Sequence, residues 1–309
     1  MPDTISSPDF SDRDSAIAVN SYTTVVGRSS VPEAGFRAYW RDAHGPLCSR
    51  VPALGFYVQH HFARSQDAHL WPAIDGVTPL PGYVLDGSVE IGWPSTAAQE
   101  EFQQASSILF SDEQNVFEET VAYPLPQGST TVFDRDPDPI PNGPDRFDRL
   151  HVHFTPRAGQ AERLADLLRG AVADAIAAAP GSIKVRVHAP DEHDNSTPNP
   201  PAPNVAHTVV AERVRLVVLE VVFTDPLARR RAFESDEFAA TLSVQRELAQ
   251  HVTAFPVSGV FTFVRDSSLT TAGLRGSRVA ELIRDMAATN QVADDVVGLM
   301  HTGALQPSE

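Results

Sequence analysis

The sequence predicts an α+β fold: two tandem β-α-β-β-α-β repeats of ferredoxin-like type that close over each other as a barrel within one chain, followed by a C-terminal helix. Three observations lead there. The same order of strand and helix patterns occurs on both sides of Asp136-Pro-Asp-Pro-Ile-Pro-Asn-Gly-Pro144, a stretch with four prolines and little to bury. Short segments match between the halves: Glu90-Ile-Gly-Trp93 with Glu220-Val-Val-Phe223, and Ala122-Tyr123-Pro124 ahead of Asp134-Arg135-Asp136 with Ala254-Phe255-Pro256 ahead of Val264-Arg265-Asp266. Finally, a four-stranded sheet with both helices on one face leaves its other face bare, and a second copy covers it.

Residues 1–18 are acidic and polar and read as disordered. The first repeat spans 19–136. It opens with a Thr/Val-rich strand, Ser21–Arg28. Pro32–Asp42 is a helix with proline where its missing N–H costs nothing, and Gly45-Pro46 reads as its stop. Gly55–Ala63 alternates as a strand, with Phe56, Val58, His60 and Phe62 on one face and Tyr57, Gln59 and His61 on the other. Residues 66–86 form a proline-containing loop that carries His69, Trp71 and Tyr83. Ser88–Trp93 is the third strand, Thr96–Phe117 is helical and Ser129–Phe133 is the fourth strand. Residues 137–147 are the linker. The second repeat, 148–268, has strands at Arg149–Pro156, Ile183–His188, Arg215–Phe223 and Gly259–Val264, and helices at Gln160–Ala179 and Pro226–Val252. A Pro/Asn-rich loop, Pro190–Ala206, interrupts it. Residues 269–309 are a helical extension whose helix, Gly276–Asn290, spaces Val279, Leu282, Ile283 and Met286 as an apolar stripe.

The 309 residues are enough for two domains. A formal charge of −16 argues against nucleic acid and anionic membrane surfaces as partners. No apolar run approaches the roughly 18 residues of a membrane span, and no secretory leader pattern is present, so a cytoplasmic protein is expected. The single cysteine, Cys48, excludes an internal disulfide and a cysteine metal site. The single lysine, Lys184, limits Schiff-base chemistry to one candidate. Dinucleotide-binding, P-loop, zincin and nucleophile-elbow motifs are absent.

One stretch suggests chemistry. Phe36, Trp40 and His44 are four apart and share a helix face, which the two aromatics mark as buried. His44 is therefore aimed at an apolar space, where a neutral imidazole can accept or donate a proton. The alternative is a histidine that caps the helix carbonyls. His60 shares a face with Phe56, Val58 and Phe62 and can meet His44 in the helix–sheet cleft, or simply be a core histidine with one hydrogen bond. His61 would line a polar pocket or the barrel interior. His69, Trp71 and Tyr83 would cover the cleft mouth, or anchor a surface loop. His151 and His153 share a face at metal-ligand spacing, with His188 or Glu220 as conceivable third donors, but no metal is expected. Lys184, Arg186 and His188 make a polar sheet face. Glu90 and Glu220, equivalent in the repeats, are expected to be buried partners of arginine.

Tyr39-Trp40-Arg41-Asp42-Ala43-His44-Gly45-Pro46-Leu47, followed by Tyr57-Val58-Gln59-His60, resembles the EthD group of the dimeric α/β-barrel superfamily. The likeness covers the first repeat. The second matches in architecture only, since its first helix has no Tyr-Trp and no His-Gly-Pro. The resemblance implies cofactor-free chemistry on hydrophobic, aromatic or polyketide-like molecules. A cofactor-independent lyase or cyclase is therefore expected, with His44 as acid/base and His60 or Tyr57 bonded to an oxyanion. Tyr39, Trp40, Phe56, His61, His69, Trp71 and Tyr83 would bind the substrate, and the second repeat would be scaffold. Cofactor-free oxygenation of an electron-rich aromatic, or a non-catalytic small-molecule-binding module, are the alternatives. A homodimer remains open.

Overall fold

The protein is described here by a computed structural model covering residues 8–65 and 70–304. The first repeat's sheet is β1 (Val19–Gly27), β2 (Phe56–Phe62), β3 (Gly87–Trp93) and β4 (Phe117–Leu125), and the second's is β7 (Asp148–Pro156), β8 (Ser182–His188), β9 (Val217–Phe223) and β10 (Ala249–Arg265). They run together in the order β4-β1-β3-β2-β10-β7-β9-β8-β5, where β5 is Thr130–Asp134. Two short strands, β6 (Asn142–Pro144) and β11 (Ser268–Leu269), lie against β10. No helix among the described residues is long and apolar enough to cross a membrane.

The duplication holds residue by residue. Tyr22 stands opposite Glu90 on one side and Tyr123 on the other; His151 stands opposite Glu220 and Phe255. Val58 faces Glu90 as Arg186 faces Glu220, and His60 faces Ser88 as His188 faces Val218. Tyr22, His60 and Glu90 of the first half are thus the counterparts of His151, His188 and Glu220 of the second.

β10 joins the halves. It pairs with β7 through Pro256 and with β2 from Val257 onward. Pro256 has no N–H to give, and it sits where the strand changes partners; its carbonyl accepts the Ala63 N–H at 2.8 Å. The residues read as the end of a helix, 249–252, are the start of this strand. A second difference lies at 117–125, read as helix end and loop. The helices stop earlier, as α3 (Thr96–Ala105) and α4 (Ser107–Glu113), and Ala122-Tyr123-Pro124 lies inside β4. The expected fourth strand, β5, belongs to the other half's edge, on β8.

The first helix of each repeat contains a wide turn at the same place. In the first repeat α1 (Glu33–Tyr39) passes through a π-helical turn, Trp40–His44, into α2 (Gly45–Ser49); in the second, α5 (Ala161–Leu167) passes through Leu168–Val172 into α6 (Ala173–Ala178). Gly45-Pro46 is therefore not a stop. Gly45 keeps helical angles, and its N–H bonds Trp40 O across the wide turn. Glycine is needed for packing, because a Cβ there would lie 2.4 Å from Phe263 Cζ.

Each helical layer closes its own apolar core: Phe36, Trp40, Tyr57 and Phe117 in the first half, and Phe154, Leu168, Ile176 and Phe238 in the second. Every such fully buried side chain contributes about 1.5–3 kcal/mol. α7 (Pro226–Phe233) and α8 (Asp236–Leu248) complete the second layer. The segment 8–18, read as disordered, is held down by Asp14, which pairs with Arg186 at 3.3 Å and Arg265 at 2.6 Å. The linker is held as well: Asp134, Asp136 and Asp138 each accept the backbone N–H two residues on, and β6 pairs with β10. The C-terminal helices α9 (Thr271–Arg275), α10 (Ser277–Asp285) and α11 (Asp294–Thr302) lie outside the barrel, and Val279, Leu282 and Met286 of the apolar stripe remain exposed.

Replacing Gly45 with alanine tests this packing. Alanine is favoured over glycine in a helix by roughly 1 kcal/mol, whereas overpacking a filled core costs about 1–3 kcal/mol. Gly45→Ala is expected to melt below the wild type in thermal denaturation; a higher melting temperature would show that Phe263 does not hold this position.

Candidate functional site in the barrel interior

Alternation along the strands sends one set of side chains outward into the helical layers and the other set between the two sheets. The inward set carries the charged residues of the strands together with an apolar patch of Phe56, Val58, Phe62 and Phe255. Glu220, 1% exposed, is bonded by Arg149 and, at 3.1 Å, by Lys184. Burial alone would raise its carboxyl, but Lys184 and Arg149 outweigh that and hold it well below the usual carboxylate range. Arg149 also reaches Asp145 at 2.7 Å. Glu90 is bonded by Arg186 through both oxygens, and by Asn20. The cations Arg149, Lys184, Arg186 and Arg265 thus match the anions Glu220, Asp145, Glu90 and Asp14. Arginine was the expected partner of both glutamates, and it is.

Between this ionic cluster and the opposite end of the barrel runs an uncharged chain of hydrogen bonds. Tyr83 Oη lies 2.8 Å from His153 Nδ1. His153 Nε2 lies 2.9 Å from Tyr22 Oη, which is 2.8 Å from His151 Nδ1. His151 Nε2 and His60 Nδ1 are buried with no partner among the described residues, and the two rings are 4.4 Å apart. Burial pushes His60 and His153 well below their ordinary value and His151 and His188 down to about 3, so all four are neutral at physiological pH. Burial likewise raises the hydroxyls of Tyr22 and Tyr83 well above theirs.

The chain ends at a groove of about 610 Å³ whose walls include Val26, Leu80, Tyr83, Val84, Val210 and Arg213. Arg213 is fixed by Glu119 at 2.7 and 3.1 Å, and its Cζ stands 4.7 Å from the Tyr83 ring centre. Its Nε is buried with no partner among the described residues. A cavity of about 40 Å³ at the ionic end is lined by Phe56, His60, Glu90, Lys184 and Glu220 among others.

His60, His151 and Glu220 place donor atoms within 4.8 Å of one another, the spacing of a two-histidine, one-carboxylate metal site. The surroundings do not suit a dication. Arg149 and Lys184 each hold one of the Glu220 oxygens.

The expected site residues are dispersed. His44 is buried at the helix, where Nδ1 lies 2.9 Å from Asp112 Oδ2 and the ring meets the Phe117 edge; none of the cavities described here is lined by it. Tyr39 donates to the other oxygen of Asp112 at 2.6 Å. Trp40 stacks on His61 at 4.1 Å, and Gln59 donates to Tyr57 Oη and Trp40 O, so the helix–sheet layer is filled rather than hollow. His60 does not meet His44. The faces of β2 are the reverse of the expected ones: the apolar face with His60 turns into the barrel, toward Glu220 at 3.9 Å, and the face with Tyr57 and His61 turns to the helix. Phe56 lies at the small cavity. Trp71 belongs to the second half's core, where it donates to Gln245 and packs on Phe154 and Phe238. His69 lies outside the described residues. Of the two described loop aromatics, Tyr83 lines a cavity mouth. The second repeat, expected to be scaffold, contributes His151, His153 and Glu220 to the polar interior. His151 and His153 drew notice for their metal-ligand spacing, with no metal expected; the alternation of polar residues in otherwise apolar strands was the signal. Arg213, in a loop, carried none.

No protein-family model matches the sequence, and no curated protein matches it. Solved structures do. An anthrone oxidase-like protein is 12% identical, with 82% of this chain and 96% of that chain covered and a TM-score of 0.50. This likeness is one of fold. The fold is an α+β barrel formed by two ferredoxin-like repeats within one polypeptide. A candidate monooxygenase from Fusobacterium nucleatum is 7% identical over 82% of this chain and 96% of its own, with a TM-score of 0.49. A variant of SnoaB, a cofactor-independent oxygenase from Streptomyces nogalater, is 17% identical over 38% of this chain and 92% of its own, with a TM-score of 0.25.

The neutral histidines of this barrel couple stability to pH. His60, His61, His151, His153 and His188 all have folded values below the ordinary one, chiefly through burial. Below about pH 6.5 the unfolded chain takes up protons that the native protein refuses, so their stabilisation is present above that pH and is lost as pH falls. Each contributes at most about 1.4 kcal/mol per pH unit below 6.5. Urea unfolding between about pH 7 and 5 is expected to show a falling stability with uptake of several protons; a flat profile would mean that these rings are charged or hydrated in the native state.

Proposed function

We propose that the barrel-mouth groove binds a hydrophobic aromatic molecule bearing an acidic hydroxyl or enolisable carbonyl, and that the protein oxidises it without a cofactor. The observation that carries this reading is the pairing of Arg213 with the Tyr83 ring on one wall of a groove whose other walls are Val26, Leu80, Val84 and Val210, with Glu119 and Glu212 also lining it. Glu119 holds the guanidinium in place, and a substrate oxyanion would take it as a second, charge-assisted partner. Arg213 and the Tyr83 hydroxyl would then stabilise the anion formed when substrate loses a proton. Such an anion is rich enough in electrons to reduce dioxygen directly. For a methylene between two rings the balance is CH2 + O2 → C=O + H2O, with one oxygen atom kept and the other leaving as water. The fold shared with an anthrone oxidase-like protein supports oxidation of this kind.

An anthrone is a suitable probe, with oxygen consumption and product mass followed together. The wild type is expected to consume oxygen with substrate, and Arg213→Met and Tyr83→Phe to lose about 10²–10³ in kcat/KM. Turnover without oxygen uptake would assign the same anion to a lyase or cyclase instead. Unchanged turnover in Arg213→Met would remove the groove as the site.

A further inference from the structure

We propose that Tyr22, His153 and His151 determine whether Tyr83 presents a proton or a lone pair to the groove, and that they carry protons between the groove and the far side of the barrel. This rests on the reading of the groove as the substrate site. Tyr83 is the group that would meet substrate; the other three are positioning residues.

The argument is a count of protons. Tyr22 Oη has one, yet it stands between His151 Nδ1 and His153 Nε2. Both rings are neutral, so each carries one N–H. If Tyr83 is to point its O–H into the groove, it must accept from His153 Nδ1–H. His153 Nε2 is then bare and must accept from Tyr22. Tyr22, having spent its proton, accepts at 2.8 Å from His151 Nδ1–H, which has Ser88 Oγ as a more distant second neighbour at 3.4 Å. A donating Tyr83 therefore requires the Nδ1–H form of His151, although the structure shows no bond between the two residues. In the opposite arrangement the Tyr22 proton goes to His151, both rings carry hydrogen on Nε2, and Tyr83 donates inward with a lone pair free for the groove.

The two arrangements interconvert by passage of one proton. A proton from substrate enters at Tyr83 Oη. The Tyr83 proton moves to His153 Nδ1, the His153 Nε2 proton to Tyr22, and the Tyr22 proton to His151 Nδ1. His151 is then doubly protonated, with Glu220 as the nearby countercharge, until its Nε2 proton leaves. The exit runs through His60: His151 Nε2 and His60 Nδ1 have no partner among the described residues, the rings are 4.4 Å apart, and His60 lines the cavity at the ionic end. One proton enters, one leaves, and Tyr83 has changed from acceptor to donor.

The test needs no substrate. With histidine labelled by 15N, the ring resonances of His151 report which nitrogen bears the proton. Tyr83→Phe is expected to displace the His151 resonances, two hydrogen bonds away. Tyr22→Phe/Tyr83→Phe is expected to match Tyr22→Phe alone at His151, because the chain is already cut. His61, behind the sheet on Trp40, serves as the control for an intact fold. His151 resonances that are the same in wild type and Tyr83→Phe would overturn the proposal. A second arm uses the unmutated protein with 4-nitrophenol, whose bound phenolate is expected to drive both His151 and His153 to the Nδ1–H form; bound phenolate with His151 unchanged would overturn the proposal as well. Failure of 4-nitrophenol to bind would count against the groove as a phenol site, while the variants still decide the relay.

Discussion

Two carboxylates lie at equivalent positions between two sheets, out of reach of water, and much of the structure follows from them. A buried charge left without its partner costs several kcal/mol, so Glu90 and Glu220 oblige the fold to bring cations inward. Arg149 and Lys184 answer Glu220, and Arg186 answers Glu90. Arg186 and Arg265 in turn need Asp14, and Arg149 needs Asp145. That demand fixes the segment before β1 and the linker, both of which would look mobile by composition alone. A duplicated unit placing a glutamate in the same register twice thus produces a barrel whose ionic end is densely paired.

The interior histidines are buried and uncharged, and His151 and His153 pair with tyrosine hydroxyls. The two cations already on Glu220 make the His60, His151 and Glu220 donor set a poor home for a metal ion. The two halves are alike in register but not in residues: Tyr22 stands where the second half has His151, and this difference creates the mixed Tyr–His chain. A strict repeat would have placed two histidines or two tyrosines there, and neither pair alternates acceptor and donor in the same way. At the open end the chain meets Arg213, held by Glu119 but with one donor unspent.

Much of the architecture was legible in the sequence. The matched Glu90 and Glu220 segments fix the repeats because equal spacing implies equal register, and the pairing of both with arginine was read correctly. What local patterns could not show was the exchange between halves. β10 runs through Pro256, which reads as a breaker but stands where the strand changes neighbours. Gly45-Pro46 reads as a stop, yet a π-helical turn carries the helix past it, and the glycine serves Phe263. The larger error was in β2. All seven of its residues are buried, so alternation separates two faces without saying which meets the helix. His60 was placed with His44, and the structure sends it the other way. Tyr83 was named for its loop, but its bond to His153, 70 residues away, has no local signature.

A crystal structure of the protein soaked with a phenolic probe tests the account most directly. The probe oxygen should lie within hydrogen-bond distance of the Arg213 guanidinium, its ring against Val84 and Val210. A probe seated instead beside His44 and Asp112, with the barrel mouth empty, would contradict the account and return the chemistry to the helical layer.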